Sequence, residues 1–416
     1  MKIILSINAG SSSVKASVYT ATSNGLPRQI AAVNINGLTV SNATMGYWRY
    51  GETIAKDKHV QAVQNQRDAV KLLLDTLVND AGLSEIGSEN DIAVACHRIV
   101  HGGNYDCARV ITKDLYSSLE ELASLAPLHN GMALSIVDSC IKWLPSTTQV
   151  ACFDTQFHAT IPSHISTYPI NQVAAKKGGL RKYGFHGISY AFISRSVAAF
   201  LDKDLDGLNM IALHLGSGAS ACAIKGGRSW DTSMGLTPLS GLPGATRCGD
   251  VDPSLVFHYA HYVEELDRRL PGTMHVADAE DILNHRCGWK SLTGTTEFAL
   301  IASSVEPGCV LAFDLLVDRV CGFIGRYFVS LEGRVDALVF AGGIGEHCAA
   351  LRRAVVQRVG CLGFSLDEMR NDEMVEGPGP EVRDIGSGNS WPRVLVCSTD
   401  EQSEMARTCA ENDKLW

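Results

Sequence analysis

No run in this 416-residue sequence is apolar for long enough to cross a bilayer. Spanning takes about 20 such residues, so no transmembrane helix is expected. No Cys-x-x-Cys pair occurs among the 13 cysteines, and no Cys/His group has zinc spacing, which argues against a structural zinc or a dithiol redox motif. An odd, scattered set of thiols fits buried side chains in a reducing compartment. The P-loop pattern G-x-x-x-x-G-K-[ST] is missing, so a polyphosphate site, if there is one, belongs to another fold. Positive charge is in deficit: 36 Lys and Arg against 45 Asp and Glu leave a net charge of −9. That argues against a broad nucleic-acid surface and leaves room for a local basic pocket. Low-complexity tracts are absent, and the main Gly/Pro-rich stretch, Glu376 to Pro380, reads as a surface loop. The sequence opens directly on a strand-like run, so no signal or transit peptide is expected, and the expected location is the cytoplasm.

What is present is enough apolar material, 45% of residues, for two domains with full cores. The chain opens on Ile3-Ile4-Leu5-Ser6-Ile7-Asn8, passes through small residues from Ala9 to Ser13, and continues in a second β-prone run with Lys15 and Val18. That spells strand, tight turn, strand. Small side chains let backbone N–H groups cradle an anion. The hydroxyls of Ser11 and Ser13 can donate, and Asn8 and Lys15 flank the turn. Standing alone, the stretch is also an ordinary hairpin tip. About two hundred residues later the shape repeats: Met210 to Leu215 enters Gly216-Ser217-Gly218 and leaves as Ala219 to Ile224. Two similarly built halves, each offering a phosphate turn across a cleft, are therefore expected.

Further strand ends carry chemistry. Ile92 to Cys96 runs into His97-Arg98-Ile99-Val100-His101-Gly102-Gly103, a basic cluster where an open α/β sheet places ligands; a solvated strand end is the plain alternative. Gln149 to Phe153 ends at Asp154, a carboxylate suited to bind metal or orient a cation, and equally to cap a helix. Ala337 to Phe340 ends in a glycine turn, Gly342-Gly343-Ile344-Gly345-Glu346, a nucleotide-binding pattern that is weak alone. Arg181 to Gly187 gathers charge, aromatic surface and the His186 imidazole ahead of a helix at 188–201, and Arg247 stands in the glycine-rich loop 244–250. Residues 28–35 predict a third strand, and 127–144 a helix. A helix at 60–79 would place Val63, Val70, Leu73, Leu74 and Leu77 on one side. Helices are also expected at 252–262, 278–286 and 296–304. The spacing of Val310, Phe313, Val317, Val320, Ile324 and Tyr327 predicts a core helix over 308–331. Val394 to Cys397 is a last strand, leading through Asp400-Glu401 into a helix.

In order along the chain, Ile7-Asn-Ala-Gly-Ser-Ser-Ser, His97-Arg-Ile-Val-His-Gly-Gly, Pro127-Leu-His-Asn, Phe153-Asp-Thr-Gln-Phe-His, Tyr183-Gly-Phe-His-Gly, His214-Leu-Gly-Ser-Gly-Ala-Ser, Asp231-Thr-Ser-Met-Gly-Leu-Thr-Pro and Gly342-Gly-Ile-Gly-Glu form a specific series. Over nearly the whole chain it resembles the acetate kinase family, of the superfamily of acetate and sugar kinases, Hsp70 and actin. The resemblance implies an α/β fold of two domains with a duplicated ribonuclease H-like (actin-like ATPase) core around an interdomain cleft. Residues 1–150 with 385–416 would form the first domain, closed by the C-terminal helix, and 151–384 the second, nucleotide-binding one. It implies reversible transfer of the ATP γ-phosphoryl group to acetate, giving acetyl phosphate and ADP, with Mg2+ (Mn2+ as an alternative), in a homodimer.

Position by position, the resemblance implies that Arg98 and Arg247 are the arginines at the transferred phosphoryl group and the carboxylate. His186 matches the transition-state histidine, His129 and His214 the supporting ones, and Asp154 the active-site aspartate. Asn8 and Glu401 match the magnesium positions. Ser11, Ser13, Lys15, His214, Leu215, Gly216, Ser217, Gly218, Gly343, Ile344, Gly345, Glu346 and His347 match nucleotide contacts. Val100, Leu128 and Pro238 match the small apolar pocket for the acyl group. Departures cluster on the donor side: Ser217 and His347 stand where the family has Asn, and Glu297-Phe298-Ala299 where it has Asp-Phe-Arg. Ala245 and Cys248 replace Gly and Ser around Arg247. They leave pyrophosphate as an alternative donor.

Phosphoryl transfer is chiefly positioning plus stabilisation of charge on equatorial oxygens, which two arginines and a histidine can supply. An attacking carboxylate, with a pKa near about 4.3, is already ionised at neutral pH. Asp154 is therefore read as an orienter of metal or arginine, not as a proton acceptor. Propionate or another short-chain acyl group is an alternative acceptor, because one methylene discriminates by only about 1–3 kcal/mol. A non-catalytic nucleotide sensor on the same fold is the reading from another class, and it would keep the turns while losing Arg98, His186 and Arg247.

Overall fold

The computed structural model describes the chain except residues 11–12, 39–42, 61–62, 64, 123–126, 260–275, 374–378 and 389–390, and except the side chains of 127–129 and 276–278. The chain groups into two compact units. The first is Met1–Ala159 with Gly187–Phe192 and Asp400–Trp416, and the second is Thr160–His186 with Ile193–Thr399.

The first unit holds an eight-stranded sheet. Its strands are β1 (Lys2–Ala9), β2 (Ser13–Ala21), β3 (Arg28–Asn36), β4 (Thr44–Arg49), β5 (Glu52–His59), β6 (Ile92–Ile99), β7 (Arg109–Val110) and β8 (Thr148–Phe153). They lie in the order β5-β4-β3-β2-β1-β6-β8-β7. The meander β1 to β5 is antiparallel, β6 runs parallel to β1, and β8 runs parallel to β6. β1 reads Ile3-Ile4-Leu5-Ser6-Ile7 without alternation because both of its faces are covered. Ile3, Leu5 and Ile7 pack with Val70, Leu73, Leu74 and Leu77 of the helix Gln66–Val78 and with Ile136 and Cys140 of the helix Pro127–Trp143. On the opposite face Ile4, Val94, Cys96, Val150 and Cys152 pack with Met405, Ala406 and Cys409 of the helix Glu401–Ala410. That helix starts where the Asp400 side chain accepts from the Ser403 N–H at 2.9 Å.

The second unit holds β9 (Met210–Leu215), β10 (Ala219–Lys225), β11 (Arg228–Thr232), β12 (Ala337–Ala341), β13 (Val382–Asp384) and β14 (Arg393–Cys397), in the order β11-β10-β9-β12-β14-β13. β9, β10 and β11 form an antiparallel meander, and β12 and then β14 add in parallel. Strand for strand this repeats β3-β2-β1-β6-β8. The helix Pro307–Ser330 begins with Pro at its first turn and covers the sheet with Ala312, Leu316, Val317, Val320, Ile324 and Tyr327.

Several expectations are corrected. β4 and β5 were not foreseen. β5 exposes nearly every side chain, so it has no alternating pattern to read. The helix expected at 60–79 begins only at Gln66, where Asn65 caps it by accepting from the Asp68 N–H, and Val63 lies before it. Val310 is 45% exposed on the first turns of its helix and is not core. Residues 385–399 group with the second unit because β14 pairs with β12, while 151–159 and 187–192 group with the first. The helix expected at 252–262 runs partly outside the described residues.

Candidate active site

In the first unit the sheet register brings a polar set to one place. Asn8 faces Lys15 across β1 and β2, and Ile7 pairs with His97, so Asn8 comes beside Arg98. Arg98 is followed across β6 and β8 by Cys152, two residues short of Asp154. The Arg98 guanidinium is gripped from two sides. Nε donates to Asp154 Oδ1 at 2.9 Å and Nη2 to Asp154 Oδ2 at 2.7 Å, while Nη1 lies 3.2 Å from Glu401 Oε2. Nη1 also donates to Asn8 Oδ1 at 3.3 Å, and Asn8 Nδ2 donates to Glu401 Oε2 at 2.7 Å. Burial works against the Arg98 charge, but Asp154 and then Glu401 outweigh it and hold the guanidinium above its usual pKa. Asp154 is 1% exposed, so its carboxylate is committed to Arg98 in the manner of a forked, two-bond pair.

Neighbouring contacts fix the loop after β6. The His101 N–H donates to Asn130 Oδ1 at 3.0 Å, and Asn130 Nδ2 returns a bond to the His101 carbonyl at 2.9 Å. Both residues are fully buried. This reciprocal amide clamp holds the half-buried Val100, and sequence reading missed Asn130 although it stands in the Pro127-Leu-His-Asn motif. Buried His97, one position before Arg98, meets Gln149 Oε1 through Nε2 at 2.8 Å, and desolvation lowers its pKa.

In the second unit, His186 opens the helix Gly187–Phe200 with φ of 60°, a left-handed conformation that costs a non-glycine residue energy and tends to mark functional positions. Its Nδ1 meets Ser220 Oγ at 2.8 Å, and its ring lies 4.3 Å from that of His214, centroid to centroid. Ser220 is fully buried and pairs with His214 across β9 and β10; it was not foreseen as a site residue. Arg247 reaches the same turn. A Cβ built on Gly218 would lie 1.9 Å from Arg247 Nη2 and 3.8 Å from His186 Nε2, so the guanidinium and the imidazole converge over that glycine. The Arg247 loop is seated there by its backbone: the Ala245 N–H donates to the Ser217 carbonyl at 2.8 Å and the Gly244 N–H to the Arg247 carbonyl at 3.0 Å.

Beside this turn lies a cavity of about 490 Å3 lined by Gly216, Ser217, Phe298, Gly343, Ile344 and His347, with Glu297 and Ala299 at its edge. A volume in this range suits a small-molecule ligand. The Glu346 carboxylate turns away from it. Glu346 Oε1 accepts from the Gly342 N–H at 3.0 Å and from Thr399 N and Oγ1 at 3.3 Å. Pro238 is buried in the second unit, while Val100 belongs to the first. Ser11 and the side chains of Leu128 and His129 lie outside the described residues; Ser13 is half-buried and Lys15 exposed on β2.

The metal positions were tested against the residues present. Among the described residues no group of three or more His, Cys, Asp and Glu is arranged to hold a metal. Mg2+ does not require one: it is usually held by one or two carboxylates plus waters and substrate phosphates. Asn8 Oδ1 and the Glu401 carboxylate are hard oxygen donors on side chains that touch through Asn8 Nδ2, so the two residues fit such an ion. Among the described residues no helix is long and apolar enough to cross a membrane.

A repeated actin-like ATPase-type sheet, with an arginine–carboxylate fork in one copy and an arginine–histidine pair over a glycine turn in the other, marks a phosphotransferase. The chain belongs to the acetokinase family, whose model matches residues 3–407. It is 55% identical to a "Probable acetate kinase" of Chaetomium globosum, the match covering 100% of this chain and 99% of that one. Among solved structures, a propionate kinase from Francisella tularensis matches with a TM-score of 0.84 at 30% identity, covering 98% of this chain and 99% of that one. The acetate kinase of Porphyromonas gingivalis matches with a TM-score of 0.80 at 30% identity, covering 98% of both chains.

Proposed function

We propose that the chain catalyses reversible transfer of the γ-phosphoryl group of ATP to acetate. The observation that carries this reading is the convergence of Arg247 Nη2 and His186 Nε2 over Gly218, next to a cavity of nucleoside size. Charge that develops on the transferred phosphoryl oxygens needs preorganised donors, and these two groups are such donors. In the tautomer where Ser220 Oγ donates to Nδ1, the His186 proton sits on Nε2 and can be given in a hydrogen bond. The acceptor carboxylate is anionic at neutral pH and attracted to Arg98, while Val100, Leu128 and Pro238 would enclose its methyl group. Asp154, committed to Arg98, orients that cation and removes no proton. Asn8 and Glu401 would hold Mg2+, which when bound neutralises phosphate charge.

The cavity of the second unit would hold the nucleoside, with Gly343 to His347 as one wall. The cytoplasm and a homodimeric state belong to this reading as well. Hydroxylamine trapping of acyl phosphate tests it. Formate, acetate, propionate and butyrate are each offered with ATP, GTP or pyrophosphate and Mg2+. Acetyl hydroxamate formed fastest with acetate and ATP is expected. Propionyl hydroxamate dominating would move the acceptor, a pyrophosphate-only signal would move the donor, and no hydroxamate in any combination would end the proposal in favour of a non-catalytic binding protein.

A further inference from the structure

Arg352 lies in the helix Ala349–Arg358 and is 2% exposed. Its Nη1 donates to the carbonyls of Gly345 at 3.0 Å and Glu346 at 2.8 Å. Nε donates to Asn371 Oδ1 at 2.8 Å and Nη2 to the Asn371 carbonyl at 2.7 Å. Asn371, 1% exposed, donates in turn to the Ala349 carbonyl at 3.1 Å. All four acceptors are neutral amide oxygens. Among the described residues no carboxylate lies within ion-pair distance of Arg352, whereas its neighbour Arg353 pairs with Glu368 and Asp372.

A buried guanidinium costs free energy unless its N–H groups are satisfied, and here they hold backbone and Asn371 oxygens in place, with Asp372 favouring the charge. Desolvation lowers its pKa to about 10, which still leaves it cationic at neutral pH. The Gly345 and Glu346 carbonyls it holds lie in the turn whose Gly343, Ile344 and His347 line the cavity, and the Glu346 carboxylate, turned away from that cavity, is taken up by Gly342 and Thr399. Arg352 itself lines a separate cavity with Asp372, Glu373 and Arg383, so what it gives the donor cavity is the fixed position of that turn.

We propose that Arg352 is a positioning residue for the phosphoryl donor, setting the Gly343–His347 turn that borders the donor cavity. The inference rests on the reading of that cavity as the donor site. It is tested by comparing Arg352→Met, Arg352→Lys and Asn371→Ala with the wild type in two measurements. One is steady-state kinetics with donor and acetate varied separately, and the other is the rise in melting temperature caused by saturating ATP. Arg352→Met is expected to raise the donor KM by about tenfold or more, the scale of losing a charge-assisted hydrogen bond. Its acetate KM should stay within about twofold, and the ATP-induced rise in Tm should fall to about half or less. Arg352→Lys should restore most of the donor KM, and Asn371→Ala should raise it by about threefold, the scale of a weakened neutral hydrogen bond. Donor and acetate KM moving together, a donor KM unchanged in Arg352→Met, or a lysine variant no better than methionine would each overturn the proposal. If Arg352→Met does not fold, an unchanged donor KM in both Arg352→Lys and Asn371→Ala overturns it. A wild type that is stabilised by ATP but makes no acyl phosphate defeats the proposed reaction alone, because a smaller ATP-induced Tm shift in Arg352→Met still reads the role of Arg352.

Discussion

The two units build the same five-strand core and fill its strand ends differently. In the first, Asn8 faces Lys15 and lies beside Arg98, with Asp154 just beyond β8. In the second, the same register positions hold His214 facing Ser220 and paired with Ala341, with Thr399 just beyond β14. One copy of the fold therefore ends in charge and the other in an imidazole, a hydroxyl and small groups. Charge has a structural consequence: Arg98 is stable at 20% side-chain exposure only because Asp154 and Glu401 close around it. The neutral copy needs no such closure. Its strand ends open into glycine turns, Gly216 to Gly218 and Gly342-Gly343, that border a cavity and admit Arg247 from a separate loop. The two copies share a scaffold, and a few residues at equivalent positions give one a charged cluster and the other an imidazole and a hydroxyl.

The comparison can be broken at its strongest point first. Arg247→Ala removes the cation that reaches the β9–β10 turn of the second unit. Its kcat should fall by at least about a hundredfold, the scale of losing one oxyanion-type donor. A near-normal kcat in a stopped hydroxamate assay would strip Arg247 of its role. Asp154→Asn tests the charged copy, leaving Arg98 with Glu401 alone. A fall of about 10- to 100-fold in kcat is expected, as for loss of an orienting partner, with the shape of the pH–rate profile retained. A basic limb lost only in this variant would make Asp154 a proton acceptor instead. Gly218→Ala is the mildest, because the added methyl meets the movable end of Arg247. Pushing that side chain off its rotamer costs about 1 kcal/mol, or about fivefold in kcat, with the melting temperature little changed. A drop in stability as large as the drop in rate would show that the turn itself, not Arg247, needs the glycine.

Much of this was legible in the sequence because buried strands that end in glycine or a lone charge are short, apolar and well punctuated. β1, β6, β8, β9, β12 and β14 all announce themselves this way, and so do Arg98, Asp154, His186 and Arg247. What was not legible depends on partners distant in sequence. Ser220 looks like any small strand residue until β9 and β10 pair and His186 arrives from another segment. Arg352 sits in an unremarkable helical run, and only the fold brings Gly345, Glu346 and Asn371 to its guanidinium. Asn130 is invisible without the return of the chain at His101. β5 shows the opposite limit: with both faces nearly bare, it carries no hydrophobic periodicity for a reader to find.

The hydrogen bond between Asn8 and Glu401 joins positions 393 residues apart. A ribosome adds about 5–20 residues per second, so a nascent chain would carry the first strand for roughly 20–80 s before its helical partner emerges. Through that interval the face of Ile4, Val94 and Val150 would lack Met405 and Cys409, and Arg98 would lack one of its two anions. Chaperone capture of the nascent chain that is relieved only after the helix Glu401–Ala410 has left the ribosome is the cellular signature that such late closure would leave.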